Sequence, residues 1–250
     1  MEKALVYNIM EPFCRTNNLE ITSQQLECFE DMLVSLKDFN SKINVTALRN
    51  DEQIIVRHFC DSICPLFFGL IPQNANVLDV GCGAGFPGLP LKVMRDDIKL
   101  SLLDSTEKKL KFSAGFAYSH NFSVTTLAKR AEETAGGQLR ESFDVVVSRA
   151  VASLPVLLEL CLPFVKEGGS LICYKSLAEC DEQNPQSELS KAKCAIPMLG
   201  GALQKVYNIE LPFESNEQQA QVHALIVIKK VKKCSTIYPR RYAQIIKKPL

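Results

Sequence analysis

The stretch NVLDVGCGAGFPGLPL, residues 76–91, places four glycines within eight positions directly after a short apolar run. The run VLDV predicts a buried strand, and the glycines predict a tight turn into a following helix. Glycine is required where a backbone bends sharply, adopts a positive φ or approaches a ligand without an intervening Cβ. The structural alternative is the same turn without a ligand. The four glycines are Gly81, Gly83, Gly85 and Gly88.

Two nearby carboxylates bear on the identity of the ligand. The spacing Gly83-x-Gly85-x-x-Gly88 also matches the fingerprint of dinucleotide-binding turns. Asp104 ends the second predicted strand, where it can accept hydrogen bonds from both hydroxyls of a ribose, in NAD or in S-adenosylmethionine. Asp79 lies inside the first strand, where it can order the loop or meet the amino group of a methionine moiety, but would repel a pyrophosphate. Asp79 therefore favours S-adenosylmethionine, and a nicotinamide-dependent oxidoreductase is the alternative.

Beyond residue 76, short apolar runs alternate with helix-length segments, which is typical of a parallel sheet covered on both faces. The runs are NVLDV, IKLSLLD, FSVTTL, FDVVVS and SLICYK. Two longer runs, ALQKVYNIEL and QVHALIVIKKV, follow without room for a crossover helix and predict an antiparallel hairpin at one edge. A dinucleotide-binding dehydrogenase would instead supply a sixth parallel strand. We therefore predict an α/β, Rossmann-like fold of the class I S-adenosylmethionine-dependent methyltransferases.

The N-terminal part of the chain has a helical pattern. Apolar residues share one face over residues 22–40, and Thr22 with Gln25 predicts a capping box at the start of that helix. A second helix is predicted from Asp51 toward Phe68. We expect a helical subdomain over residues 1–70, a methyltransferase domain over residues 71–232 and a basic C-terminal tail over residues 233–250.

The composition is that of an ordinary globular protein. The 250 residues are 46% hydrophobic and 23% charged, which suffices for one sizeable core. With no secretory signal and no membrane-length apolar run, we expect a cytoplasmic protein that does not bind membranes, and a monomer. The ten cysteines include no CxxC pair and predict free thiols rather than disulfides or a metal site.

Charge is distributed unevenly along the chain. Residues 229–250 carry eight basic and no acidic side chains, whereas the other 21 basic and 28 acidic residues leave residues 1–228 at −7. An acidic body with a basic end favours a polyanionic partner, and a solvated end that aids solubility is the alternative. The eight cations are Lys229, Lys230, Lys232, Lys233, Arg240, Arg241, Lys247 and Lys248.

Several motifs occur in an order that is specific to one family. They are INVTAL, RHFCDS, LDVGCGAGFPGLPL, LLDSTEKKLKF, AKRAEE and SRAVASL. With them, most of the chain resembles the glucose-inhibited division protein B family, which methylates N7 of one guanine in 16S ribosomal RNA with S-adenosylmethionine. The resemblance implies that 16S ribosomal RNA, or an intermediate of the small ribosomal subunit, is the partner. It also implies cofactor contacts at Gly81, Phe86, Ala131, Glu132 and Arg149.

The chain departs from the family pattern in two places. The family usually has Lys-Gly after the fifth strand, and here the pair is Lys175-Ser176. Near the C-terminus, Ala243 and Ile245 replace a glycine and a proline.

The sequence also limits which atom of a base can accept the methyl group. Methylation of a pyrimidine C5 needs a cysteine, typically in a Pro-Cys pair, and the sequence has none. Methylation of an exocyclic amine usually involves Asn/Asp-Pro-Pro-aromatic after the fourth strand, where this chain reads SRAVA. A ring nitrogen with a free lone pair remains, and guanine N7 suits it because positioning can supply most of the rate.

Residue roles follow from this chemistry. A cation close to a methylated, positively charged purine is unfavourable, so Arg149 is interpreted as an organiser of the cofactor and its loop. Asn44 and Arg57 are candidate RNA contacts, with helix capping or local ion pairing as the alternative. A non-catalytic RNA-binding module and a small-molecule methyltransferase also remain open.

Overall fold

The computed structural model describes residues 2–43, 46–48, 50–212 and 222–250. The strands in these ranges are β1 (Asn76–Val80), β2 (Lys99–Asp104), β3 (Val124–Ala128), β4 (Phe143–Arg149), β5 (Val165–Ser176), β6 (Gly201–Glu210) and β7 (Val222–Lys230). They form one sheet in the order β3-β2-β1-β4-β5-β7-β6.

The directions of the strands distinguish the predicted methyltransferase sheet from the sheet of a dinucleotide-binding dehydrogenase. Strands β1 to β5 run parallel, whereas β7 pairs antiparallel with both β5 and β6. The parallel sheet and its edge hairpin confirm the predicted class I methyltransferase architecture. The sixth parallel strand that a dehydrogenase would need is not found among the described residues, and its place beside β5 is taken by β7.

Each face of the sheet has its own core, because successive side chains on a strand point to opposite faces. Val77 packs in a first core with the N-terminal helices, and Leu78 packs in a second core with the C-terminal helices. The central strands are therefore apolar along most of their length. In β4, Val145, Val146 and Val147 are all buried.

Helices cover both cores. Those that contribute side chains to the first core are α1 (Glu2–Thr16), α2 (Ser23–Lys42), α3 (Asp51–Ile54), α4 (Asp61–Ile63), α5 (Gly88–Met94) and α6 (Glu107–Ser119). Those that pack on the second core are α7 (Ala131–Thr134), α8 (Leu154–Cys161), α9 (Glu188–Ala192), α10 (Ala195–Met198) and α11 (Tyr242–Lys247).

The start of α2 confirms the predicted capping box. The Gln25 backbone N–H donates to Thr22 Oγ1 at 3.2 Å, and the Thr22 N–H donates to Gln25 Oε1 at 2.9 Å. These two bonds satisfy backbone donors that lack partners in the first turn of a helix. Buried Phe29 and Leu33 then face the first core, as the apolar periodicity predicts.

The helix predicted from Asp51 toward Phe68 is present, but its winding changes along its length. Between α3 and α4 the backbone forms a π-helix over Ile55–Cys60, and after α4 it tightens into a 3₁₀ helix over Cys64–Phe68. Gly69, at φ 61°, ends it in the left-handed region. Single π turns inside α-helices are frequent at functional sites, and this one carries Arg57 and His58.

The N-terminal helices pack directly on the sheet. Phe29 and Phe59 share the first core with Val77 and Leu100. The division into residues 1–70, 71–232 and 233–250 stays a prediction.

The basic C-terminal segment, residues 233–250, packs against the second core. Tyr238 and Ile245 are buried in it. Arg140 donates to the carbonyl oxygens of Cys234 and Tyr238, both at 2.8 Å. Ile245, one of the departures from the family pattern, thus anchors α11, and without a proline at this position the backbone N–H donors of the helix are retained.

Residues 229–250 contain no acidic side chain, but the fold supplies carboxylate partners from elsewhere in the chain for two of the eight C-terminal cations. Arg240 forms an ion pair with Glu159 at 2.6 Å, and the Glu159 side chain is fully buried. Lys230 is buried, donates to the Leu162 carbonyl at 2.7 Å and lies 3.4 Å from Glu141. A buried cation needs such partners because its charge has left water. The exposed C-terminal cations are Lys232, Lys233, Arg241, Lys247 and Lys248.

Candidate functional site

The glycine loop leaves β1 at the carboxyl edge of the sheet. The Gly81 N–H donates to the Leu103 carbonyl at 2.7 Å, which brings the loop close to the end of β2. Gly81 has φ 71°, and a Cβ there would collide with the side chain of Val151. At Gly83, φ is 56° and a Cβ would meet no described atom within 4 Å. The loop is therefore closed against the β4–α8 connection at Gly81 and open at Gly83.

Asp104 ties this loop to the next one. Its Oδ2 accepts the Gly83 N–H at 2.9 Å, and its Oδ1 accepts the Thr106 N–H at 2.8 Å. A carboxylate has about four lone-pair sites, so each oxygen keeps the capacity to accept another hydrogen bond. Asp104 thus combines a structural role with a free acceptor edge.

A first cavity of about 280 Å³ opens beside this carboxylate. It is lined from the ends of neighbouring strands, which is where open α/β sheets bind ligands. Predicted site residues that line it are Gly81, Asp104, Ala131 and Glu132. The structure therefore brings together four predicted site residues from the ends of β1, β2 and β3. The lining does not include the other predicted cofactor contacts, Asp79, Gly83, Gly85, Phe86 and Arg149.

Asp79 lies under the loop and is fully buried. Its Oδ2 accepts the Gly88 N–H at 2.8 Å, so it orders the start of α5. Among the described residues, Oδ1 has no hydrogen-bond partner. Burial raises the pKa of Asp79 to about 7, although the Gly88 hydrogen bond opposes this rise. Of its two anticipated roles, the loop-ordering one is visible in the structure, and contact with a methionine amino group stays a prediction.

Phe86 and Gly85 belong to the rest of the loop. The ring of Phe86 is buried and stacks on His58, with centroids 4.6 Å apart and planes 10° apart. A Cβ at Gly85 would lie 2.7 Å from Leu89, so glycine is required there for packing. Cofactor contacts at Phe86 and Gly85 stay predictions.

Arg149, at the end of β4, is the centre of a polar network that reaches the π-helix. Its Nη1 donates to Asp61 Oδ2 at 2.6 Å and to the Arg57 carbonyl at 2.9 Å. Its Nη2 donates to His58 Nδ1 at 3.2 Å. The guanidinium therefore holds the N-terminal helices against the carboxyl edge of the sheet.

The charge states of this network follow from its geometry. Burial lowers the pKa of His58 to about 3, and the Arg149 charge adds to this effect. His58 is therefore neutral at pH 7, and since Nδ1 accepts from Arg149, its proton lies on Nε2, 2.8 Å from Thr46 Oγ1. Burial alone would raise the pKa of Asp61, but the hydrogen bond from His223 and the Arg149 charge outweigh it and lower that pKa.

A second cavity of about 370 Å³ is lined by this network. Its walls include Arg57, His58, Arg149 and Tyr174. Ala150, at φ 56°, lines both this cavity and the first one. The two cavities therefore meet at the residue that follows β4.

Of the two candidate RNA contacts, Arg57 lines the second cavity. Asn44 lies outside the described residues.

Lys175 is a site residue that the sequence analysis missed. Its side chain is 7% exposed, and its Nζ donates to the Ala152 carbonyl at 2.8 Å and to Glu188 at 2.6 Å. Lys175 thus fixes the connection after β4, which contributes Ala150 to the lining of both cavities. Ser176, which stands where the family has glycine, has a local structural role next to Lys175. Ser176 and Glu179 form a capping box that starts the following 3₁₀ helix.

Within the described ranges, no group of three or more His, Cys, Asp or Glu side chains is arranged to hold a metal ion. All ten cysteines are free thiols, and nine of them are buried. No helix in the described part of the chain is both long and apolar enough to span a membrane.

Comparison with known proteins agrees with this architecture. Among solved structures, an S-adenosylmethionine-dependent O-methyltransferase from Thermotoga maritima aligns with 80% of this chain and 72% of its own, at TM-score 0.53 and 13% identity. A branched-chain polyamine synthase variant from Thermus thermophilus aligns with 83% of this chain and 64% of its own, at TM-score 0.59 and 12% identity. At such identities the likeness concerns the fold alone.

Sequence relatives are much closer. The family model for rRNA small subunit methyltransferase G matches residues 24–205. Ribosomal RNA small subunit methyltransferase G of Clostridium beijerinckii is 39% identical over 246 residues, 98% of each chain. The protein of that name from Acetivibrio thermocellus is 39% identical over 93% of this chain and 91% of its own. The chain belongs to the rRNA small subunit methyltransferase G family.

Proposed function

We propose that this chain transfers a methyl group from S-adenosylmethionine to N7 of a guanine in 16S ribosomal RNA. The names of its relatives, ribosomal RNA small subunit methyltransferase G, support the class of substrate. The observation that carries the proposal is the junction of two cavities at Ala150, because a methyl transfer needs donor and acceptor in adjoining sites.

The first cavity fits the methyl donor. Asp104 has free acceptor capacity for the two ribose hydroxyls, and Gly81 of the glycine loop lines the same cavity. Ala131 and Glu132, after β3, line the part of the cavity available to the base. When bound, S-adenosylmethionine supplies an electrophilic methyl group on a sulfonium ion.

The second cavity fits the acceptor base. Guanine N7 carries a free lone pair and no proton, so the chain needs to position the base and exclude water rather than supply a strong base. Neutral His58 matches this requirement, since it adds no positive charge near the methylated purine. Arg149 does carry charge, but Asp61 neutralises it at 2.6 Å. Arg57 stays a candidate contact to the RNA.

The exposed C-terminal cations supply long-range attraction for a polyanion, which an acidic body alone would repel. We infer that the substrate is 16S ribosomal RNA or an intermediate of the small subunit, and that the chain acts in the cytoplasm as a monomer.

The test uses labelled S-adenosylmethionine with 16S ribosomal RNA and, separately, with small-subunit particles. We expect label in a guanosine, and strand cleavage at that base after reduction and aniline treatment, because N7 methylation makes the purine ring labile. Label in RNA that resists cleavage would refute N7 as the acceptor. Absence of transfer to either RNA substrate would refute the activity, and binding of NAD in place of S-adenosylmethionine would support an oxidoreductase.

A further inference from the structure

Tyr242, in the C-terminal segment, lines the first cavity together with Asp104 and Glu132. It is separated from both by more than a hundred residues of sequence. Its side chain is 43% exposed, and the Arg130 guanidinium lies 5.8 Å from the centroid of its ring. A partly exposed aromatic ring therefore stands at the mouth of a ligand-sized cavity.

The position of this ring is fixed by buried contacts. Ile245, on the same short helix α11, is fully buried in the second core. On the other side of Tyr242, Arg240 pairs with buried Glu159 through two bonds, Nε to Oε1 at 2.8 Å and Nη2 to Oε2 at 2.6 Å. Two-pronged pairing of this kind restricts orientation as well as distance. Tyr242 is thus presented to the cavity from an anchored platform.

The order of the strands indicates which part of a ligand would meet this ring. Strands β1, β2 and β3 are neighbours, so the glycine loop, Asp104 and Arg130 follow one another across the carboxyl edge of the sheet. A nucleoside with its ribose on Asp104 and its amino-acid end toward the glycine loop directs its base toward the residues after β3. Tyr242 is on that side, because it contacts Arg130.

We propose that Tyr242 packs against the purine ring of bound S-adenosylmethionine, so that the C-terminal segment forms one wall of the cofactor site. The inference rests on the proposed function, since it takes the ligand of the first cavity from there. An aromatic side chain suits this position because stacking on a purine needs a flat apolar face and no fixed hydrogen-bond pattern.

The test compares the affinity of the full-length chain for two ligands by calorimetry. S-adenosylhomocysteine contains the purine and the amino-acid end, and 5′-methylthioadenosine contains the purine without the amino-acid end. Removal of one stacking ring should weaken binding roughly 5- to 20-fold. We therefore expect Tyr242→Ala to weaken both ligands by this factor, and Tyr242→Phe to bind within about twofold of the unmodified chain because the ring is retained.

Two further variants make the comparison specific. Tyr118→Ala is the matched control, since Tyr118 on α6 is 87% exposed, and it should leave both affinities unchanged. If Tyr242→Ala lowers the melting temperature, Tyr242→Gln, which retains helix propensity but has no ring, should show the same loss of affinity in a folded protein.

The outcomes separate this inference from the proposed function. Unchanged affinity in Tyr242→Ala and Tyr242→Gln would overturn the inference alone. So would equal losses in Tyr242→Phe and Tyr242→Ala, or a loss confined to S-adenosylhomocysteine, because the contact would then involve the hydroxyl or the amino-acid end. An unmodified chain that binds neither ligand would overturn the proposed function and the inference with it.

Discussion

Replacement of Asp79 by asparagine should change how the stability of this protein depends on pH. The pKa of Asp79 rises from 3.8 in its ordinary state to about 7 in the folded chain, mainly through burial. Between these two values the folded state holds a proton that the unfolded state has lost. The stabilisation from that proton is complete below about pH 4 and is lost as pH rises through 7.

The magnitude follows from the shift. One pKa unit corresponds to about 1.4 kcal/mol, so ionisation of buried Asp79 costs up to about 4 kcal/mol, of which about 2–3 kcal/mol falls between pH 5 and pH 8. Asp79→Asn retains an oxygen for the Gly88 N–H and cannot ionise. Its amide group lies where Oδ1 has no described partner, and this costs about 1–3 kcal/mol at every pH.

The informative quantity is therefore the difference in unfolding free energy between Asp79→Asn and the unmodified chain, measured at several pH values. It should move in favour of the variant by about 2–3 kcal/mol from pH 5 to pH 8. Urea unfolding followed by circular dichroism suits the assay, because the chain has no tryptophan. Asp181→Asn is the matched control, since Asp181 is exposed and asparagine can still accept the Gln183 backbone N–H.

A difference that stays constant from pH 5 to pH 8 would refute the reasoning. It would mean that Asp79 does not titrate near neutral pH, and that water or movement of the loop solvates the carboxylate in the folded protein.

Three further predictions concern the two cavities and the C-terminal segment. Asp104→Ala should weaken S-adenosylhomocysteine binding at least about tenfold in calorimetry, because hydrogen bonds to a charged group are worth about 1.5–3 kcal/mol each; an unchanged affinity would mean that the ribose is held elsewhere. Arg149→Ala should lower the unfolding free energy, measured by urea unfolding, by about 3–5 kcal/mol, because the buried Asp61 carboxylate loses its arginine partner. A loss below about 1 kcal/mol would contradict the stabilising role of this ion pair. Neutralisation of the five exposed C-terminal cations should weaken RNA binding and flatten its salt dependence by about 3 units in filter-binding titrations, with S-adenosylmethionine binding intact; an unchanged slope would make these charges a solubility feature.

Much of the fold could be predicted because its signals are local. The run VLDV, the four glycines and Asp104 lie within one strand-turn-helix-strand unit, and the geometry of such a unit depends on residues close in sequence. The capping box at Thr22 and the terminal hairpin were predictable for the same reason. Helix α1 was not identified individually, although Val6, Met10 and Phe13 recur at helical spacing and are buried.

The roles of several site residues could not be predicted in this way. Lys175 belongs to the family's Lys-Gly motif, but the motif does not indicate that Lys175 fixes the connection after β4. Tyr242 carries no motif that distinguishes it from an ordinary surface residue, yet it lines the first cavity. Arg240 has the sequence context of an RNA-binding cation, but it pairs with a carboxylate 81 positions away. Charge counted along a sequence does not reveal such compensation, because partners are determined by packing.

Local sequence patterns specify the alternation of strands and helices, the glycine turn and the acidic residue that ends the second strand. These features depend on backbone conformation and hydrophobic period, which residues near one another specify. Packing between distant segments brings Arg149 to Asp61 and His58, places Ala150 in the lining of both cavities and adds Tyr242 to the lining of one of them. Burial and ion pairing act through space, so the environment of each side chain depends on which distant segments pack against it.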